Sequence, residues 1–414
     1  MGAMSALVAS AACEVPDPKD DTGGLGGEVG ADECDRGISV ISTDLAYQST
    51  SVAFVGWDGE VLSPRVITSG SSEVGLSAPL SGDVVPPNVA TSTAETVIID
   101  RFPASVLTWL DLSTGAPRAQ LSVRTGFDAN AQDYLQVADD LGFVTRHKAN
   151  PQPGREPFDG GSDLLVVDPR GPEIVGRIVL AGALDGDDGS LVATPARMLN
   201  AQGKIVVLLG VLSSNFQSAG DARLVVIDPS TQAIVETIRI EGLQNCQAIA
   251  LSPTGARIAV GCTGLIGLDF EADIDHAGVA IVTLGTDGAP SVVSARYAAA
   301  ALGRSPQFTI AFASEDTVVF PTFGIDGAEG TPHGDDLVEL RISDGSSRVL
   351  FTTGEAFMLG DVRCAASCGT CFVADAEAVA LRRFTVDGAG ALSAADVVEI
   401  DDGIGLLPRY LGAL

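Results

Sequence analysis

The stretch QAIALSPTGARIAVGC, residues 247–262, is preceded by LVVIDPSTQAIVETIRIEG, residues 224–242. Together they indicate four short strands. Two of them are joined by an Asp-Pro-Ser turn, and the other two are joined by a Ser-Pro-Thr-Gly turn. We find seven variants of this pattern along the 414 residues. A repeat of roughly 40 to 60 residues made only of short strands is typical of a β-propeller. The sequence therefore predicts an all-β fold of seven four-stranded antiparallel blades.

The outer two strands of each blade are the easiest part of the repeat to see. These strand–turn–strand hairpins cover residues 53–67, 107–123, 164–180 and 224–240, with weaker copies at 279–297, 337–353 and 380–400. Residues 37–70 lack an inner strand, whereas LPRYLGAL (407–414) is an inner strand with no successor. We expect both to join in one blade, because closing the ring removes exposed sheet edges. The predicted propeller domain therefore spans residues 37–414.

The phrases LVVIDPSTQAIVETI and SPTGARIAV resemble the repeats of the YncE-like (YVTN-type) family of bacterial secreted propellers. That family has repeats of the type VIDxxTxxVxxTIxV followed by SPDGxxxYV. The resemblance is good over residues 223–262 and loose elsewhere, and it departs at Ala259 and Val260, where the family has a tyrosine. It implies a seven-bladed, secreted propeller. It brings no catalytic motif with it.

The charge balance bears on the class of partner. The chain has 24 basic and 54 acidic residues, a formal net charge of −30. Nucleic acids and anionic lipid surfaces carry the same sign and would be repelled. We therefore expect no nucleic-acid partner.

The N-terminal segment MGAMSALVASAAC (1–13) resembles the end of a bacterial lipoprotein signal, with Cys13 as the lipidated residue. Residues 14–36 are rich in Asp, Glu, Gly and Pro, a composition typical of a disordered tether. The sequence thus predicts a periplasmic, cell-surface or extracellular protein that touches the membrane only through a lipid on Cys13.

Without Cys13, six of the seven cysteines remain, an even number suited to disulfides in an oxidising compartment. Cys246 begins an inner strand and Cys262 ends its antiparallel neighbour, so we expect these two to be bonded. The other four are Cys34, Cys364, Cys368 and Cys371. One bridge within the hairpin and one to the tether would use all four, but three connectivities stay open, and a zinc site is the alternative.

A ring of polar residues is expected near the starts of the inner strands, at the usual ligand mouth of a propeller. Its members are Asn88, Gln136, Arg197, Gln247, Gln307, Arg363 and Arg409. Guanidinium and amide groups could bind a carboxylate or phosphate there. The alternative is that these residues are simply hydrated.

All three histidines, His147, His276 and His333, fall in loops expected at the same face. With Asp273 and Asp275 they offer mixed nitrogen and oxygen ligands for a transition metal or calcium. The acidic run is not an EF-hand, because Ile274 stands where that loop needs Gly. Exposed loop histidines are the simpler interpretation, and no cofactor is predicted.

The sequence contains no GxSxG, HExxH or Walker motif. It therefore favours a non-enzymatic scaffold whose mouth-face loops bind a protein or a surface polymer, with an aromatic patch around Phe158, Phe216, Phe323 or Trp57. The alternative is a lactonase-like hydrolase that binds an anionic substrate in the polar ring.

Overall fold

Seven four-stranded antiparallel sheets form a ring, which confirms the seven blades predicted from the repeat. The computed structural model describes residues 33–187, 189–266, 273–285, 290–324, 333–400 and 403–414. The predicted signal end, Cys13 and the tether up to residue 32 lie outside the described residues. A small additional sheet pairs Leu191–Val192 with Leu212–Ser213.

Each blade is given from its innermost strand outwards. Blades 1 to 4 are Leu407–Ala413, Ile38–Thr43, Thr50–Val55, Val61–Thr68; Asp83–Val85, Glu95–Phe102, Val106–Asp111, Pro117–Ser122; Ala131–Ala138, Leu141–Ala149, Gly161–Asp168, Glu173–Val179; and Pro195–Ala201, Lys204–Leu209, Asp221–Asp228, Ala233–Gln244. Blades 5 to 7 are Cys246–Leu251, Arg257–Cys262, Gly278–Leu284, Pro290–Ala298; Ala311–Ser314, Thr317–Thr322, Asp336–Arg341, Ser347–Thr352; and Leu359–Ala365, Thr370–Asp375, Ala380–Val386, Leu392–Glu399.

The two middle strands of a blade have other blades against both faces. Ile38–Thr43 and Thr50–Val55 are accordingly buried at every position. The outermost strand Glu173–Val179 instead alternates between exposed and partly buried residues over most of its length. Burial on both faces explains the continuous Val/Ile runs of the repeat, because water-facing positions are confined to the blade edges.

The ring closes as predicted. Leu407–Ala413 pairs with Ile38–Thr43, with Ile38 opposite Ala413, and forms the innermost strand of blade 1. The first and last strands of the described residues therefore share one sheet, and the last strand covers the edge of Ile38–Thr43 that would otherwise be exposed.

Three disulfides stabilise the ring. Cys246 bonds to Cys262 between the two inner strands of blade 5, as predicted. The pairing of the remaining four is Cys34 with Cys368 and Cys364 with Cys371, so one bridge lies within the blade 7 hairpin and the other fastens the tether to it. These six sulfurs are used in disulfides, so the zinc alternative for them is wrong.

Helical structure is limited to short turns in the described residues: Glu33–Asp35, Ala181–Leu184, Ile274–His276 and Ala299–Leu302. Among them there is no segment with the length and apolar character needed to cross a bilayer.

Candidate functional site

We call the end of the ring at which the innermost strands begin the mouth face. The loops between the second and third strands of each blade also emerge there. Cavities of about 150, 550, 530 and 230 Å³ open on this face. Their walls are formed by these loops and by the first residues of the inner strands.

Residues 86–94, which we call the channel plug, enter the central channel and contact other blades there. The innermost strand of blade 2 ends at Val85, and the chain then crosses the channel before it enters the next strand at Glu95. Val89 packs against the cores of blades 3, 4 and 5. The Asn88 amide nitrogen donates to the carbonyl oxygens of Met198 (3.1 Å) and Ile249 (3.2 Å) in blades 4 and 5.

Three members of the predicted polar ring meet at this plug. The guanidinium of Arg197 donates to the carbonyl of Pro86 at 3.1 Å and to that of Gln132 at 3.0 Å. Arg363 donates to the carbonyl of Asn88 at 3.1 Å. The structure thus brings Asn88, Arg197 and Arg363 together, and each makes hydrogen bonds inside the protein.

Two buried carboxylates accompany these arginines. Asp133 accepts backbone N–H groups of Asn88 (2.8 Å) and Met198 (2.6 Å). Asp361 accepts the N–H of Leu411 at 3.2 Å. Burial raises the pKa of both carboxyl groups, and the neighbouring arginines and N–H groups oppose this shift. The plug region is therefore a charge-paired hydrogen-bond network between blades.

The other four ring residues are distributed differently. Gln307 and Arg409 line one cavity together, between blades 6, 7 and 1. Gln247 lines a separate cavity between blades 3, 4 and 5. Gln136 lies near the opposite end of its strand, paired with Gly142, and accepts a hydrogen bond from the Tyr134 hydroxyl.

At the mouth of blade 3, Gln132 stands where Gln247 stands in blade 5. Each follows an asparagine by two positions, and its Nε2 donates to that asparagine's Oδ1 at 2.9 Å. Asn130 and Asn245 both have φ of +50°, a conformation that asparagine adopts more readily than most residues. The Asn-x-Gln repeat in the sequence could have identified these residues.

Aromatic side chains form a second feature of the mouth face, which we call the aromatic arc. Its members are the half-exposed Tyr47, Phe102, Phe308 and Phe357, together with Phe323, which is buried. Phe308, Phe323 and Phe357 are in ring contact, with centroids 5.4 and 5.7 Å apart. Tyr47 lines the same cavity as these three and also the next cavity, together with Phe102. The arc runs across blades 6, 7, 1 and 2.

Of the four aromatics named from the sequence, only Phe323 belongs to the arc. Phe216 stacks on His147 instead, and the half-buried Phe158 accepts a hydrogen bond from Arg146 through its carbonyl. Trp57 is 4% exposed and stacks on Phe372 in the core. The expectation of an interface at Trp57 is wrong, because this ring completes the packing between blades 1 and 7.

The histidines have three different environments. His147 is buried, His276 lies 2.8 Å from a carboxylate oxygen of Asp273, and the imidazole of His333 contacts the guanidinium of Arg304. In the described ranges, no three carboxylate, thiolate or imidazole groups lie close enough together to hold a metal ion. Metal binding by His147, His276, His333, Asp273 and Asp275 stays a prediction.

No protein-family model and no curated protein matches the sequence. Solved structures do match. A Lactobacillus plantarum protein has a TM-score of 0.56 at 10% identity over 92% of this chain and 99% of that one. A Bacteroides uniformis protein described as a "putative 6-phosphogluconolactonase" has a TM-score of 0.54 at 11% identity, covering 91% and 98%. A Bacteroides fragilis protein with the same description has a TM-score of 0.54 at 12% identity, covering 91% and 97%.

The chain is a seven-bladed β-propeller. At these identities the matches establish the fold of the propeller alone. Membership of the YncE-like family stays a prediction, while the three disulfides of the propeller are consistent with an extracellular or periplasmic location.

Proposed function

We propose that this propeller is an exported binding scaffold that holds a protein partner on its mouth face. The aromatic arc is the observation that supports the proposal. Tyr47, Phe102, Phe308 and Phe357 are between 48% and 53% exposed. Half-exposed aromatic side chains that share cavities are typical of binding surfaces, where such rings supply much of the affinity.

The arc differs from the other exposed apolar residues. Val235, Val349 and Val397 are also about half exposed, but each lies on an outermost strand of a different blade. Single apolar residues of this kind are ordinary on protein surfaces. Only at the mouth face do several large rings form one continuous surface in the described residues.

The backbone holds the arc in place. Tyr47 and Phe357 have φ of +54° and +62°, a strained conformation for bulky residues. The Arg409 guanidinium donates to the Phe357 carbonyl, and Asp335 accepts the Phe357 N–H at 3.0 Å. A rigid, preorganised surface loses little conformational entropy when it binds.

Export is supported by the disulfides and by the predicted lipid site at Cys13. A lipidated Cys13 followed by the tether of residues 14–36 would hold the mouth face away from the membrane and let it reach a partner. The alternative partner for the loops of the mouth face is a surface polymer.

A photo-crosslinking amino acid at position 357 tests the proposal. We expect it to produce one major adduct in the intact host envelope, and excess unlabelled propeller should suppress that adduct. A Phe308→Ala/Phe357→Ala competitor should not suppress it. The same amino acid at Val397, on the outer strand of blade 7, is the matched control. Equal labelling from both positions would refute the proposal. An adduct with a saccharide would show that the partner is a surface polymer and not a protein.

One observation favours the hydrolase alternative. Asp361 lines the cavity that also holds Gln307 and Arg409, and burial raises the pKa of its carboxyl group. A carboxylate with a raised pKa is a suitable general base for activating water against a lactone carbonyl. Two structural neighbours are described as putative 6-phosphogluconolactonases.

The hydrolase alternative has a direct test. Turnover of 6-phosphogluconolactone that is lost in both Asp361→Asn and Arg409→Ala would replace the scaffold proposal with an enzyme. Arg409 is the better arginine to change, because Arg363 makes hydrogen bonds to Leu411 and Asn88 that support the fold. A folded protein without turnover would eliminate this alternative.

A further inference from the structure

The cavity of about 150 Å³ between blades 6, 7 and 1 is the part of the aromatic arc in which rings and charges meet. Four rings of the arc line it, those of Tyr47, Phe308, Phe323 and Phe357. The planes of Phe308 and Phe323 meet at 76°, and those of Phe323 and Phe357 at 56°. Rings set at such angles form a concave surface rather than a flat one. A cavity of about 150 Å³ can hold one benzene molecule, so this one suits a group of about that size.

One acidic and one basic side chain also line this cavity. Asp361 belongs to the inner strand of blade 7, and Arg409 belongs to the inner strand of blade 1. Gly360 lets the two strands approach, because a side chain there would collide with the backbone carbonyl of Arg409. A ligand that complements both charges carries one positive and one negative group.

A second carboxylate lies directly behind the aromatic wall. Asp335 is fully buried and accepts the backbone N–H groups of Phe357 at 3.0 Å and of Leu359 at 2.9 Å. Both of these residues line the cavity, and N–H donors of this kind stabilise the charged form of a carboxylate. The positive charge of Arg363 offsets part of the charge of Asp361. Asp335 therefore strengthens the preference for a cation beside these rings.

The aromatic wall also selects the kind of cation. The face of an aromatic ring carries partial negative charge and attracts a cation within about 6 Å of the ring centroid. A primary ammonium would lose hydrogen bonds to water on entering such a site, whereas a trimethylammonium group has no N–H to satisfy. Clusters of aromatic rings are accordingly typical of sites for quaternary ammonium groups. A trimethylammonium group is similar in size to benzene, so it also fits the volume.

Arg409 supplies the contact for the negative group. Its Nη1 donates to the backbone carbonyl of Phe357, and this bond is exposed to solvent. The bond holds the guanidinium at the edge of the ring wall. A guanidinium has five N–H donors, so further donors are available for an oxyanion, to which arginine bonds strongly. The negative group of the ligand would thus lie only a few bonds from its ammonium.

We propose that this cavity binds a small zwitterion in which a trimethylammonium group is joined to a carboxylate or a phosphate. The ammonium lies among Phe308, Phe323 and Phe357, and the anion bonds to Arg409. The zwitterion is either a free solute or a phosphocholine group carried by a larger molecule. The inference rests on the proposed function only in treating the aromatic arc as a binding surface, and it does not require a protein partner.

Isothermal titration calorimetry of the purified full chain tests the inference, with glycine betaine and glycerophosphocholine as probes. The comparison compound is 3,3-dimethylbutanoate, which has the shape and the carboxylate of glycine betaine but carbon in place of the charged nitrogen. We expect at least one zwitterion to bind, and 3,3-dimethylbutanoate to bind about tenfold more weakly than glycine betaine, because it lacks the cation–π attraction. Tighter binding of glycerophosphocholine would assign the site to a carried phosphocholine group, and tighter binding of glycine betaine to a free solute.

Two variants separate the contacts to the two groups of the ligand. Phe308→Leu keeps an apolar side chain but removes a ring face, so it should reduce the preference for glycine betaine over 3,3-dimethylbutanoate about threefold or more. Arg409→Gln should weaken both compounds about tenfold, but it should not weaken tetramethylammonium, which has no negative group. Phe102→Leu is the matched control, since Phe102 is a similarly exposed ring of the arc that lines the next cavity.

Absence of binding by both zwitterions, equal affinity for glycine betaine and 3,3-dimethylbutanoate, or an unchanged preference in Phe308→Leu would overturn the inference. Its failure can be distinguished from failure of the scaffold proposal. Zwitterion binding together with equal crosslinking from positions 357 and 397 would support this inference and refute the scaffold. A specific adduct from position 357 without zwitterion binding would support the scaffold and refute this inference.

Discussion

The side chain of Asn88, in the plug that follows the inner strand of blade 2, donates a hydrogen bond of 3.2 Å to the carbonyl of Ile249, in blade 5. The plug therefore connects blade 2 with blade 5. The plug also receives the guanidinium of Arg363 from blade 7 and that of Arg197 from blade 4. The channel interior is thus a structural junction between blades.

Replacing Asn88 tests this role of the plug. Asn88→Ala leaves the carbonyls of Met198 and Ile249 without their donor, and we expect the free energy of unfolding to fall by about 1–3 kcal/mol. Urea unfolding followed by circular dichroism measures the change. Asn200→Ala is the control, because Asn200 is exposed and its side chain caps only the turn at Gly203. A loss no larger than in this control would mean that the plug contributes nothing to stability.

The pair of Arg146 and Asp163 gives a second stability prediction. Arg146 Nε and Nη2 lie 2.8 and 2.7 Å from the two oxygens of Asp163, and both side chains are almost wholly buried. Asp163→Ala leaves a buried guanidinium without its counter-ion and should cost about 3–5 kcal/mol.

Its control is a similar pair at the surface. Arg383 also makes two hydrogen bonds to Asp396, whose side chain is 50% exposed. Asp396→Ala should cost less than about 1 kcal/mol, because water screens the charges. Equal costs in chemical denaturation would show that burial does not set the strength of these pairs.

The disulfides should differ in what they contribute. The bridge between Cys34 and Cys368 joins residues 334 apart, whereas Cys364 and Cys371 are 7 apart. A longer closed loop restricts the unfolded chain more, so Cys34→Ser/Cys368→Ser should destabilise the protein by about 5 kcal/mol, the upper end of the range for disulfides. Cys364→Ser/Cys371→Ser should cost less. Guanidinium unfolding without reductant compares the two, and the reverse order would contradict the loop-entropy explanation.

The structure that forms between residues close in sequence can be predicted from the sequence. Each outer hairpin forms between neighbours along the chain, and turns such as the one at Asp228 carry their own signal, since its Oδ1 accepts the N–H of Ser230 at 2.9 Å. The Cys246–Cys262 bridge follows in the same way from adjacent strands. The partner of Cys34 depends on ring closure, so spacing alone leaves it open.

The site is less readable, because it depends on register and on contacts between distant blades. The pattern of polar residues along Ala131–Ala138 does not show which of Gln132 and Gln136 lies at the mouth face. The strand pairing distinguishes them, because it places Gln136 opposite Gly142 at the end of the strand away from the mouth face. The plug sequence PPNVATSTA (86–94) has no strand pattern, and the hydrogen-bond partners of Asn88 lie 45 to 275 residues away along the chain. The burial of His147 Nδ1 without a hydrogen-bond partner among the described residues is likewise a property of packing, and no sequence motif records it.

His147 should make stability depend on pH in a defined direction. Burial lowers its pKa to about 4, and the positive charges of Arg101 and Lys148 act in the same direction, whereas an unfolded histidine has a pKa of about 6.5. Between these values the unfolded chain binds a proton that the folded chain excludes, so the contribution to the free energy of unfolding falls as pH falls. Above pH 6.5 or so this contribution is fully present.

Comparison with His147→Leu isolates this effect from the titration of the carboxylates. From pH 7 to pH 5, the parent protein should lose about 1–2 kcal/mol relative to the variant, because one pKa unit corresponds to about 1.4 kcal/mol. Urea unfolding of both proteins at several pH values gives the difference. NMR titration of the His147 imidazole in the folded protein provides the independent check. A midpoint near 6.5 would mean that water reaches the ring and would contradict the prediction.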